Sequence, residues 1–374
     1  MTSKEKMVEL LHKAGVTLNG PHPSDIQVHD ERLYDRIFSS GSLGIGESYM
    51  DGWWDVDDFP TFLNKVLSAR LDLELVHIST LWYIVRAWAL NMQNKDRSRR
   101  VAQIHYDAGN DLYKRMLDRR MTYSCGYWSG VPPARNLDEA QEAKLDLVCR
   151  KLGIKPGDHV LDIGCGWGSF AKFAAQKYGA HVVGVTISEE QAALARQECT
   201  GLPVEIKVED YRNTTGQFDF VVSIGMFEHV GYKNYRAYMK KVHSLLKDGG
   251  LFLLHTIGTT KSVTTVDPWV DKYIFPGGML PSVAHVGKAI DDLLILEDWH
   301  NFGPDYETTL LAWCANFERA WPELKSKYGE RFYRMWRFYL HTAAATFRLR
   351  HNQLWQVVLS KQDHGVAGGY RAVS

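Results

Sequence analysis

The stretch VLDIGCGWGSF, Val160 to Phe170, constrains this chain more than any other. A short apolar run ends in Asp162, and Gly164, Gly166 and Gly168 follow before a segment of helical pattern opens. Glycines permit a tight turn and close backbone approach, and a helix start offers unpaired N–H groups. Such a strand–turn–helix unit needs a parallel sheet around it, and the downstream sequence supplies the strands. HVVGVTIS (His181 to Ser188), VEIKVEDY (Val204 to Tyr211), FDFVVSIG (Phe218 to Gly225) and GLFLLHTIG (Gly250 to Gly258) are nearly continuous apolar runs, the form of strands buried on both faces. Helical patterns separate them, which predicts an α/β doubly wound sheet. A helix is expected over Leu137 to Leu152, helical and aromatic sequence from Tyr306 to Arg350, and a last strand at LWQVVLS.

The glycine spacing narrows the ligand. A dinucleotide fingerprint reads G-x-G-x-x-G, whereas here an acid precedes G-x-G-x-G, the form associated with S-adenosylmethionine methyltransferases. A structural glycine turn and a nicotinamide site are the competing readings. One generic expectation fails: the second strand ends in Thr186 and Ser188, where an acid would hold the ribose hydroxyls, and Gln191 is the next polar candidate. Asp210, ending the third strand, is either an acceptor for an adenine amino group or a turn residue.

The rest of the composition excludes more than it selects. The 374 residues suffice for about two domains. Lys+Arg 44 balance Asp+Glu 44, so there is no global pull toward nucleic acid, and none is expected as a partner. Five dispersed cysteines without a C-x-x-C pair argue against a disulfide framework or zinc ribbon and fit a reducing cytosol. The histidines show no metal-ligand spacing, so no metal is expected. Charges break up the N-terminal segment, which excludes a signal peptide, and no apolar run approaches the ~20 residues of a membrane span. A short helix is expected within Lys4 to His12, a shaped loop over Gly41 to Phe59, and an amphipathic helix over Leu71 to Met92. The polar, basic NKDRSRR at Asn94 to Arg100 reads as a linker, giving a small domain at 1–93, a linker at 94–104 and a catalytic domain at 105–374.

Taken in order, GSLGIGESYMDGWW, HYDAGNDLY, YSCGYW, VLDIGCGWG, GVTIS, GMFEHVG, LLHTIG, DPWVDKYIFPGG and DWHNFGPDYETTL run through nearly the whole chain. In these stretches the sequence resembles the cyclopropane-fatty-acyl-phospholipid and mycolic acid cyclopropane synthase family. The resemblance implies a class I methyltransferase fold with a seven-stranded, mostly parallel sheet, a helical lid insertion near the last strands and a small, mainly helical N-terminal domain. It implies transfer of a carbon from S-adenosylmethionine to a cis double bond of an unsaturated phospholipid acyl chain, followed by ring closure. Cofactor contacts are then expected at Tyr123, Ser124, Asp162, the Gly164 to Gly168 turn, Thr186, Ser188, Gln191, Asp210 and Tyr211. A bicarbonate ion is expected to be held by Cys125, Glu228, His255, Tyr306 and the backbone of Ile257. A homodimer, peripheral on the inner face of the membrane and otherwise cytoplasmic, is also implied.

The chemistry explains why such groups are wanted. An alkene is a weak nucleophile and attacks only a strong electrophile held in line with it. The resulting cation demands a dry site with negative or π-electron density and one base. Glu228 facing an anion requires a shared proton or coupled titration. The aromatics Tyr127, Trp128, Trp269, Tyr273, Phe275 and Trp313 are candidates for an apolar tunnel or for core packing. RFYRMWRFYL, Arg331 to Leu340, and the basic linker are candidates for a headgroup contact, against the alternative of a helix packed on its own core.

Overall fold

A computed structural model describes residues 1–71, 109–361 and 369–373. Of the amphipathic helix expected over Leu71 to Met92 only Leu71 is described, and the linker at 94–104 and the first four residues of the HYDAGNDLY stretch lie outside the described residues. The chain divides into two compact units. One gathers the described residues of Met1–Asn91 with Thr264–Pro276 and Leu310–His351; the other gathers those of Met92–Val263 with Gly277–Thr309 and Asn352–Ser374.

The first unit is mainly helical. Its α1 (Ser3–Lys13) opens on a capping box between Thr2 and Glu5, which satisfies two otherwise orphaned N–H groups. The two-residue strands β1 (Gln27–Val28) and β2 (Trp54–Asp55) pair antiparallel, with α2 (Arg32–Met50) between them and α3 (Phe59–Ser68) after. The loop expected from Gly41 is thus helix as far as Met50. Its glycines serve packing as well as a turn: Gly41 kinks the helix at φ 56°, while a Cβ on Gly46 would lie 2.3 Å from the Trp269 ring. Tyr49, Trp54, Phe59 and Phe338 form an aromatic core with centroids 5.0 to 6.5 Å apart.

The second unit carries α4 (Asn110–Met116), α5 (Leu137–Leu152) and the sheet. Strand and helix alternate through β3 (His159–Ile163), α6 (Ser169–Tyr178), β4 (His181–Thr186), α7 (Glu189–Glu198), β5 (Val204–Val208) and β6 (Phe218–Ile224). Then come α8 (Tyr235–Leu245), β7 (Leu246–Thr259), α9 (Pro268–Tyr273), α10 (Val283–Ile290), β8 (Leu294–Asn301), α11 (Pro304–Arg348) and β9 (Asn352–Lys361), of which α9 and most of α11 belong to the first unit. The sheet order is β5-β4-β3-β6-β7-β9-β8, parallel except for β9, which runs antiparallel to both neighbours. Successive strands run outward from β3 toward β5 on one side and from β6 toward β7 on the other. The carboxyl ends of β3 and β6 therefore flank the switch point where such sheets bind ligands. Strand β8, which the sequence did not announce, has only Leu294 fully buried, so it lacks the continuous apolar run of the inner strands. Among the described residues, no helix is long and apolar enough to cross a membrane.

Arg331 pairs with Asp51, Arg334 with Asp55 and the carbonyls of Tyr49 and Trp54, and Arg337 with Glu318. These cations are paired within the first unit, and Trp336 and Phe338 are buried beside them, as in a helix packed on its own core. Trp269 and Trp313 are likewise buried in the first unit.

Candidate active site

The glycine turn follows β3 as expected. Gly164 has φ 81°, and a Cβ there would lie 2.8 Å from Met226, which follows β6, so the two halves of the switch point close on each other at a residue without a side chain. Trp167 caps the turn: its indole donates to Asn110 Oδ1 at 3.0 Å, and its ring lies 5.0 Å from Tyr113, itself 5.2 Å from Tyr123. The described part of HYDAGNDLY thus builds an aromatic wall between Tyr123 and the turn.

Beyond β4, Thr186, Ser188 and Gln191 satisfy one another. Ser188 caps α7 by accepting from Gln191 N at 3.3 Å, and Thr186 Oγ1 meets Gln191 Oε1 at 3.0 Å. Asp210 is clasped by Arg212, whose Nε and Nη2 donate to its two oxygens at 2.7 and 2.5 Å; the sequence reading did not single out Arg212. The Tyr211 ring packs 5.1 Å from Tyr238.

The other half gathers at the ends of β6 and β7. Glu228 sits in a single 3₁₀ turn, Phe227–His229, where its Oε1 accepts from Ile257 N at 2.7 Å. Its Oε2 is buried with no partner among the described residues, and burial raises its pKa to about 7 against the ordinary 4.5. His255 is 1 % exposed. Its Nδ1 lies 3.4 Å from the Gln356 amide nitrogen, and its Nε2 is buried and without a partner among the described residues. Burial, then the charges of Lys144 and Lys151, hold His255 neutral.

Cys125 is fully buried, and burial raises its thiol well above the ordinary range, so it is a hydrogen-bond donor and no nucleophile. Its sulfur lies 3.1 Å from Gly126 O and 3.9 Å from Thr309 Oγ1. Thr309, which sequence reasoning passed over, anchors this loop to α11 by accepting from Gly126 N at 3.1 Å and Trp128 Nε1 at 2.9 Å. One turn earlier on the same helix face is Tyr306, 7 % exposed. Phe302 links the two sides, its ring 5.9 Å from His255 and 5.2 Å from Tyr127. A Cβ on Gly225 would lie 3.9 Å from that of Ser124. The loop of Tyr123, Ser124 and Cys125 therefore borders both the glycine-turn half and the Glu228–His255 half.

Elsewhere among the described residues, Cys314, Glu318 and His341 bring donor atoms within 4.8 Å of one another. Each has a partner already: the thiol meets His341 Nε2 at 3.4 Å, and Glu318 takes Arg337 Nε at 3.0 Å, a guanidinium that opposes a cation there.

The comparisons agree with this geometry. The sequence profile of the mycolic acid cyclopropane synthetase family matches residues 93–357. Cyclopropane-fatty-acyl-phospholipid synthase of Escherichia coli is 51 % identical over 97 % of this chain and 94 % of its own length. Tuberculostearic acid methyltransferase UfaA1 of Mycobacterium tuberculosis is 35 % identical over 91 % of this chain and 84 % of its own. Among solved structures, the M. tuberculosis cyclopropane synthase MmaA2 superposes with TM-score 0.66 at 29 % identity, over 73 % of this chain and all of that one. Mycolic acid cyclopropane synthase CmaA1, solved with S-adenosylhomocysteine and CTAB, gives 0.65 at 31 % identity, over 70 % of this chain and 98 % of that one.

Sheet order, glycine turn and these likenesses define a class I S-adenosylmethionine-dependent methyltransferase. Within that class, the chain belongs to the mycolic acid cyclopropane synthetase family, with high identity to a cyclopropane-fatty-acyl-phospholipid synthase.

Proposed function

We propose that this enzyme converts a cis double bond of an unsaturated phospholipid acyl chain into a cyclopropane, using S-adenosylmethionine as carbon donor. The 1–93, 94–104 and 105–374 domain division belongs to the same reading, as does peripheral membrane contact by a cytoplasmic homodimer. The observation that carries the chemistry is a pair of buried atoms without a partner among the described residues, Glu228 Oε2 and His255 Nε2, beside the Ser124–Cys125 loop. A buried polar atom without a partner costs about 1–3 kcal/mol, so an apolar methyl-transfer pocket has no reason to keep two of them.

The donor set fits a small anion: a neutral His255 offers Nε2–H, Cys125 a thiol, Tyr306 a hydroxyl. Glu228, raised to about 7, can carry a proton and so donate where an ionised carboxylate would repel. A bicarbonate held there would supply the base that takes a proton from the newly attached methyl group. The protein's own residues do the rest. The glycine turn, Tyr123, Ser124 and the Thr186–Ser188–Gln191 cap orient the sulfonium donor, and Asp210 and Tyr211 hold its base. Burial around Phe302, Tyr127 and His255 keeps water from the transient alkyl cation, and the π faces there stabilise its charge.

The test is incubation with unsaturated phospholipid vesicles and isotope-labelled S-adenosylmethionine, with the acyl product read by NMR and mass spectrometry. Label in a cyclopropane ring is expected; label confined to a methyl branch would replace this reading with methylation alone.

A further inference from the structure

Lys144 has no role in the reading above, yet it is wholly buried. On α5 it stands one turn from Gln141, also fully buried, and both reach the same loop. Gln141 Nε2 donates to the carbonyls of Thr122 at 3.3 Å and Ser124 at 2.7 Å, while Lys144 Nζ donates to Ser124 Oγ at 2.8 Å. An ammonium taken out of water is costly and persists only opposite negative charge. The titratable groups facing it are Asp118 after α4, Cys125 in the loop, Asp162 at the end of β3 and His255 on β7. Asp118 is already held by the N–H groups of Thr122 and Arg120, at 2.7 and 3.0 Å. Asp162 is 2 % exposed and its Oδ2 has no partner among the described residues.

We propose that Lys144 is a positioning residue: its buried ammonium orients Ser124 and favours the carboxylate form of Asp162, so the pocket meets the cationic groups of the co-substrate with a negative oxygen. The inference rests on reading Asp162 and Ser124 as cofactor contacts. Burial raises Asp162 to about 7, and Lys144 is the charge that opposes the rise. Removing that charge sends Asp162 higher, so binding should need a higher pH.

Calorimetric titration of the full chain with S-adenosylhomocysteine, from about pH 6 to about pH 9, tests this. In the wild type, affinity should rise with pH through about 7, where Asp162 ionises. In Lys144→Met and Lys144→Gln the midpoint should move alkaline by about one unit or more, giving roughly tenfold weaker binding at neutral pH that recovers at the alkaline end. Lys144→Arg should keep the wild-type midpoint. Asp162→Asn should abolish the rise in affinity through about pH 7, and adding Lys144→Gln to it should add only a pH-independent loss from the freed Ser124 hydroxyl. Unmoved midpoints in the neutral variants overturn the proposal, as does a pH-independent loss in all three, which packing alone would produce. A wild type that does not bind S-adenosylhomocysteine removes the cofactor reading itself, a separate outcome.

Discussion

The two halves of the switch point treat their polar groups in opposite ways. On the β4–β5 side, Thr186, Ser188 and Gln191 form a closed capping network, and Asp210 is matched by Arg212. On the β6–β7 side, Glu228 and His255 each make one hydrogen bond inward and leave the other polar atom buried and without a partner among the described residues. The first half is satisfied by the chain alone. The second is a standing cost, the kind of local conflict that persists where chemistry requires it. Substitutions should therefore trade stability against activity on one side and lower both on the other.

The largest effect belongs to Glu228→Gln. The amide keeps an acceptor for Ile257 N but cannot ionise. Ring formation should fall by roughly a hundredfold or more, while the affinity for S-adenosylhomocysteine stays within a few-fold, measured by product analysis and calorimetry. Stability should move the other way. Glu228 takes up a proton on folding between its ordinary 4.5 and about 7, so the native state loses stability as pH rises through that interval. Above it the cost is about 3 kcal/mol, since each unit is worth about 1.4 kcal/mol. Glu228→Gln should thus melt higher than the wild type at pH above 7 and show no advantage at pH near 4; a lower melting point at both would break the contrast.

Thr309→Val comes next and tests the loop shared by both halves. It strips the acceptor from the buried Gly126 N and the part-buried Trp128 Nε1, at about 1–3 kcal/mol for the buried donor and less for the other. A loss of about 3 kcal/mol in urea unfolding is expected, together with reduced ring formation as Cys125 loses its anchor. Unchanged stability would show that Asp305 and α5 hold the loop without Thr309.

The glycine turn was far easier to foresee than the Glu228–His255 half. Asp162 and its glycines announce themselves because a strand, a tight turn and a helix start leave a periodic and compositional trace within eleven residues. The inner strands were equally plain as continuous apolar runs. Glu228, His255, Cys125 and Tyr306 come from four separate segments, and single polar residues in apolar surroundings carry no period; only the resemblance assembled them. Lys144 did leave a signal, since it and Gln141 fall on the face of α5 that carries Ala140, Leu145 and Val148, and a charged residue on an apolar stripe asks for a buried partner. The glycine-rich Gly41 to Phe59 segment misled because glycines that let Trp269 approach a helix look the same in sequence as glycines that make a loop.

The smallest effect sharpens the contrast from the other side. Ser188→Ala removes the acceptor that caps α7, a change worth about 1 kcal/mol. Thr186 Oγ1 still accepts from Ser188 N at 3.3 Å and still meets Gln191, so the network loosens without opening. A rise of about threefold in the dissociation constant for S-adenosylhomocysteine is expected, with a fall in melting temperature of a few degrees or less at every pH, because no charge is gained or lost. The argument for two unlike halves needs that flat pH response: Glu228 ties stability to pH through its own titration, whereas a neutral capping hydroxyl has nothing to titrate. A pH-dependent penalty in Ser188→Ala would mean that the cap is coupled to a buried charge after all, and Asp162, at the end of the neighbouring strand β3, would be the first place to look.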